Sequence, residues 1–106
     1  MSKKWRRFEV LLPLQFNDGR DVPEDLLGEA VQELFAEFGA VSIEKQPIEG
    51  RWRKAGNVYR DNLSRIIIDM PDSLKNRRWM ARFKARWKKR LHQIEIWVVT
   101  YRIEIQ

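Results

Sequence analysis

The chain has 106 residues, 43% hydrophobic and 34% charged, and its 21 Lys and Arg outnumber 15 Asp and Glu for a net charge of +6. That length bounds a single domain with one modest core, and the absence of cysteine excludes disulfides, thiol nucleophiles and thiolate metal sites. The basic, partly apolar start superficially matches a leader, but Glu9, Pro13 and Gln15 interrupt it. It reads instead as a strand of a cytoplasmic protein, and no stretch is apolar enough to span a membrane.

Phe8, Val10, Leu12, Leu14 and Phe16 alternate with Arg7, Glu9 and Gln15, which predicts a first strand over 4–16 with one face on the core. Asn17-Asp18-Gly19 ends it. Asp21-Val22-Pro23-Glu24 then offers a cap candidate, a proline and early acids, the chemistry of a helix start. Leu26, Leu27, Ala30, Val31, Leu34, Phe35 and Phe38 form the apolar stripe of a helix from about Glu24 to Phe38, with Gly39 placed to end it. A second strand follows over Ala40–Glu44, and Pro47 confines it to an edge. Residues 48–62 read as a hairpin with a basic, aromatic-bearing connection. Leu63 to Met70 is the third strand, and its Ile66-Ile67-Ile68 run argues a central position. Pro71-Asp72-Ser73 stops that strand and caps a second helix over about 73–92. Ile94 to Gln106 makes a last strand, with Trp97, Val99, Tyr101, Ile103 and Ile105 sharing the core face.

This β-α-β-β-α-β order predicts an α+β, ferredoxin-like domain spanning 1–106, a four-stranded antiparallel sheet with both helices on one face. The other face would carry Trp5, Leu11, Ile67 and Val98 among Arg7, Glu9, Arg65 and Thr100, an apolar load that points to a homo-oligomer.

The second helix concentrates the charge. Lys75, Arg77, Arg78, Arg82, Lys84, Arg86, Lys88, Lys89 and Arg90 give +9 with no acid among them, so a chain of +6 carries −3 elsewhere. Trp79, Met80, Phe83, Trp87 and Leu91 occupy one arc. Ala81 and Ala85 lie opposite, with Arg78, Arg82, Arg86 and Lys89 on one flank and Arg77, Lys84 and Lys88 on the other. Small residues between cations would let a phosphate backbone approach. The first helix supplies a rival: Asp25, Glu29, Glu33 and Glu37 recur every fourth residue, each like-charge pair costing about 0.2–0.5 kcal/mol if unanswered. That acidic ridge can claim one cationic flank. The other, with Arg51, Arg53 and Lys54 of the hairpin and Lys3, Lys4, Arg6 and Arg7, remains for an anionic partner, nucleic acid or an acidic protein. The strand from Arg65 to Met70 lacks the aromatics of an RNA-stacking sheet.

Catalytic groups are sparse. His92, the lone histidine, falls at a helix end and reads as a cap. The glycines make neither a dinucleotide fingerprint nor a P-loop, and Asp61, Asp69 and Asp72 sit at strand ends and a cap, so neither cofactor nor metal is expected. The first reading is a non-enzymatic domain that contacts nucleic acid through the helix (73–92) and the hairpin (51–60), using Arg78, Arg82, Arg86, Lys89, Arg51, Arg53 and Lys54. The alternatives are a dimeric α+β-barrel domain with a small-molecule or enzymatic cleft near Trp52, Tyr59 and Asp61, and a protein-interaction subunit.

Gly50-Arg51-Trp52, then Val58-Tyr59-Arg60-Asp61 and the isoleucine strand, resemble a pattern found in small uncharacterised bacterial βαββαβ proteins. The resemblance runs from Phe8 to Ile105. It implies the fold and brings no assigned activity or cofactor.

Overall fold

The computed structural model describes residues 4–44 and 46–106, so Lys3 lies outside the described residues. The elements are β1 (Trp5–Pro13), α1 (Glu24–Phe38), β2 (Ser42–Ile43), β3 (Ile48–Lys54), β4 (Asn57–Pro71), α2 (Leu74–Arg90) and β5 (Trp97–Ile103). All pairings between them are antiparallel: β1 lies between β4 and β5, and the far edge of β4 takes β3 along its first half and β2 further on.

The sheet therefore has five strands where four were expected. Glu44 still donates its N–H to the Arg65 carbonyl at 3.0 Å, and beyond Pro47, which has no N–H to give a ladder, regular pairing with β4 starts again at Ile48. The sheet stays four strands wide because β2 and β3 share one edge. Much of the expected hairpin connection is itself strand: β4 begins at Asn57, and only Ala55 (φ 51°) and Gly56 (φ 82°) form the turn. Two successive positive φ values are the primed turn geometry that matches strand twist.

Even-numbered residues of β1 and β4 point at the helices. Phe8, Val10, Leu12, Ile66, Ile68 and Met70 are buried with Ala30 and Leu34 of α1 and Met80, Phe83 and Trp87 of α2. The capping of α2 follows its sequence. Ser73 Oγ accepts the Asn76 N–H at 3.1 Å. At the far end the N–H groups of His92 and Gln93 return to the carbonyls of Lys89 and Lys88 (3.2 and 2.9 Å), with His92 in the left-handed region at φ 52°. His92 closes the helix through its backbone.

The parity of the last strand is reversed relative to expectation. Val10 pairs with Val98 and Phe8 with Thr100, which puts Val98 and Thr100 on the helix side. Leu11 pairs with Trp97, Glu9 with Val99, Arg7 with Tyr101 and Trp5 with Ile103, which puts the apolar-rich series on the open face. Hydrophobic count is a poor guide at this edge, because pairing to β1 sets the parity and Val98 with buried Ile96 meets the core's need. Trp97, Tyr101 and Val99 are left 63%, 41% and 38% exposed.

Asp72 is no cap. Its carboxylate, 4% exposed, accepts from Arg6 Nε at 2.9 Å and Arg102 Nε at 3.2 Å, with Arg77 Nε at 3.6 Å, so it ties β1, β5 and α2 together. The Arg6 hydrogen bond, with the charges of all three arginines, holds it below the usual carboxylate range. No helix among the described residues is long and apolar enough to cross a membrane. A depressed carboxylate pKa contributes stability above its unfolded value of about 3.9 and loses it as pH falls through the folded one. Asp72→Asn should thus be less stable than the parent at pH 7 and lose less stability on acidification below about pH 4, as read by urea unfolding at each pH.

Candidate functional site

The helix–helix seam answers part of the basic surface. Arg86 Nη2 bonds Glu33 Oε2 at 2.9 Å, Arg90 grips both oxygens of Glu29 at 2.7 and 3.0 Å, and the Trp87 indole N–H donates to Glu33 at 2.9 Å. The Arg90 guanidinium also lies 4.3 Å from the centre of the Trp87 ring. Glu29 pairs with Arg90 and Glu33 with Arg86, so the helices run antiparallel, and Phe38 meets Trp79 edge-on at 5.0 Å further along. Arg90 holds Glu29 below the ordinary carboxylate range, and Glu29 raises Arg90. Solvated pairs of this kind add little to stability, so the seam chiefly sets register.

Arg86 therefore faces the acidic ridge, while Arg78, Arg82 and Lys89 are exposed. Arg77 pairs with Asp72, and Lys84 with Glu95 at 3.1 Å. Among the described residues Lys75, Arg78, Arg82, Lys88 and Lys89 have no ion-pair partner. Arg90, counted among the nine cations but placed on neither flank, falls within the apolar arc; its four-residue spacing from Arg86 matches that of Glu29 and Glu33. In the hairpin Arg51, Arg53 and Lys54 are exposed, and Arg51 bonds Glu49 at 3.2 Å. No hydrogen bond or ion pair among the described residues joins these hairpin cations to α2. Arg6 and Arg7 are taken up internally, Arg7 by a two-point bond to Asp69 at 2.7 and 2.9 Å.

The open face builds a different kind of site. Odd-numbered residues of β4 face away from the helices, and the Ala55-Gly56 turn sets a register in which Trp52 opposes Tyr59 and Gly50 opposes Asp61. Trp52 and Tyr59 stack at 4.4 Å with 17° between their planes, and the Trp52 indole N–H donates to Asp61 Oδ2 at 2.7 Å. The three residues predicted as a cleft are thus brought together and hold one another in place. Beside them opens a cavity of about 350 Å³ lined by Leu11, Gly50, Trp52, Asp61, Leu63, Glu95 and Trp97, together with Arg51. Tyr59 and Asp61 also border a second, more polar hollow of about 330 Å³ against the Gln15–Gly19 loop.

Glycine at position 50 keeps the larger cavity open, since a Cβ there would stand 3.0 Å from Leu63 Cδ1. Leu11, Leu63, Glu95 and Trp97 were missed as lining residues. The turn register and the parity of β5 bring them to the Trp52 wall, and neither is visible in local periodicity. Asp61, Asp69 and Asp72 do not converge, and no cluster of three or more His, Asp or Glu among the described residues has the geometry of a metal site.

The charges on the rest of the open face answer each other. Arg65 bridges Glu9 at 3.1 Å and Glu44, the Tyr101 hydroxyl donates to Glu9, and Arg7 pairs with Asp69. Glu44 raises the Arg65 pKa, and the Glu9 hydrogen bond raises that of Tyr101.

No protein-family model and no curated protein sequence matches the chain. Solved structures do share its fold. CutA1 from Oryza sativa aligns over 99% of this chain and 84% of its own at a TM-score of 0.67 and 16% identity. A phage SAM lyase in complex with S-methyl-5′-thioadenosine aligns over 99% and 92% at 0.66 and 13%. CutA from Synechococcus elongatus PCC7942 aligns over 94% and 79% at 0.53 and 16%. At these identities the likeness establishes a small α+β, ferredoxin-type fold.

Proposed function

We propose that this protein is a small-molecule-binding domain whose ligand occupies the open-face cavity between the β3–β4 hairpin and the start of β5. The observation that carries the reading is Trp52, an indole clamped by Tyr59 on one side and Asp61 at its N–H, set against a largely apolar cavity. Apolar concavities with a few convergent polar groups are the usual form of such sites. Gly50, Trp52, Tyr59 and Asp61 are also the residues on which the resemblance to small bacterial βαββαβ proteins rests. A fold neighbour that holds S-methyl-5′-thioadenosine supplies a first class of compounds to try, adenosine-based thioethers and sulfoniums. Titration with these compounds should give a saturable change in tryptophan emission that weakens at least tenfold in Trp97→Ala. If no compound of the class gives a saturable, Trp97-dependent response, the reading is wrong.

The same face supports self-association. Away from Asp61 its strand charges Arg7, Asp69, Glu9 and Arg65 pair with one another while Trp97, Val99 and Tyr101 remain exposed, so it fits burial against a second copy. Sedimentation equilibrium should then give more than the monomer mass, and Val99→Glu should lower it; a monomer at millimolar concentration would contradict this.

A second reading, nucleic-acid binding, is favoured by the unpaired cations Lys75, Arg78, Arg82, Lys88 and Lys89 on α2. It predicts affinity for duplex or single-stranded DNA that falls steeply with salt and drops in Arg78→Ala/Arg82→Ala. Absence of binding at about 50 mM salt removes it.

A further inference from the structure

The charge lining the cavity is the reverse of the charge on the molecule. The chain carries +6, yet the ionisable side chains presented to this space are the carboxylates of Asp61 and Glu95. Arg51 borders it too, but side chains alternate along a strand, so its guanidinium leaves from the face opposite Trp52 and pairs with Glu49 at 3.2 Å. The two carboxylates differ. Glu95 is matched by Lys84 at 3.1 Å, and that bond holds it below the usual carboxylate range. Asp61 receives one hydrogen bond, from the Trp52 indole, and no cation among the described residues lies within ion-pair distance of it.

Two indoles complete the walls. Trp52 is locked in place by its stack and hydrogen bond, while Trp97 stands at the rim, 63% exposed, on the β5 side of Leu11. Aromatic faces attract cations through the ring quadrupole, and an unmatched carboxylate adds a full charge of the right sign. A neutral ligand would use the leucines and indoles but leave Asp61 unanswered.

Resting on the cavity reading above, we infer that the site selects an organic cation, a sulfonium or quaternary ammonium centre on a flat or apolar body, with Asp61 facing the charge and Trp52 and Trp97 flanking it. The second, polar hollow shares Asp61, so a ligand longer than the apolar cavity can extend past this carboxylate toward Tyr59 and Arg60.

S-adenosylmethionine and S-adenosylhomocysteine differ by the sulfonium methyl and its charge, and so isolate the inference from the reading it rests on. Calorimetric titration of the full chain should show the sulfonium bound at least tenfold more tightly, about 1.4 kcal/mol. Asp61→Asn keeps an acceptor for the Trp52 N–H and should collapse that preference to near unity, read as the ratio of the two affinities within the variant; Glu95→Gln, whose charge Lys84 already matches, should reduce it less. Equal affinity for the two compounds, or a preference that survives in Asp61→Asn, overturns the cation inference and leaves the cavity reading standing. Failure of both compounds to bind overturns the cavity reading itself.

Discussion

All but one of the strand pairings run through β4. This 15-residue strand supplies the central position of the sheet with its second half and one arm of the hairpin with its first. Its even side chains Ile66, Ile68 and Met70 lie under the helices, and of its odd side chains Asp61 and Leu63 line the cavity while Tyr59 stacks on Trp52. Core and site therefore share one register. A slip of a single residue would send Ile66 and Ile68 to the open face and turn Asp61 away from the cavity. The Ala55-Gly56 turn at one end and the β1 ladder at the other leave no freedom for such a slip.

Charge is the second organising constraint. A chain with 34% charged residues buries none of them fully among the described residues, and three clusters of ion pairs tie its elements together. Asp72 gathers arginines from three elements, the helix seam matches Glu29 and Glu33 to Arg90 and Arg86, and the open face neutralises its own strands through Arg7 and Arg65. Among the described residues, the groups left without an ion pair include a run of cations on the outer side of α2 and the carboxylate of Asp61. The first lies on a solvated helix surface. The second lies in a cavity with aromatic walls, where solvent screens a charge less.

Local pattern carried much of this architecture. The period of Leu26, Leu27, Ala30, Val31 and Leu34 and the position of Gly39 located α1 at its observed ends, and Ser73 marked the start of α2. The acidic ridge was readable from its four-residue spacing, but of the flank it was expected to claim only Arg86 pairs with it, and its other partner is Arg90. What local pattern could not carry was parity and long-range convergence. Trp97 to Ile103 alternates as well for one face as for the other, and only pairing with β1 chooses. Asp72 looked like a cap because caps are local, whereas its partners Arg6 and Arg102 are distant in sequence. Trp52, Tyr59 and Asp61 stood out as a group since one hairpin holds them. Leu11, Glu95 and Trp97 reach the same cavity from elements that only the sheet brings together.

The most direct measurement of the site is the set of five tryptophan indole N–H resonances, at Trp5, Trp52, Trp79, Trp87 and Trp97, followed by ¹H–¹⁵N NMR as S-adenosylmethionine is added. Trp52 and Trp97 line the cavity, whereas Trp87 is buried under α1 with its N–H on Glu33. Binding in the cavity moves the Trp52 and Trp97 resonances together, with one saturation curve, and leaves Trp87 in place. Saturable shifts confined to Trp79 or Trp87, or a Trp52 resonance that does not respond while ligand binds, would contradict it.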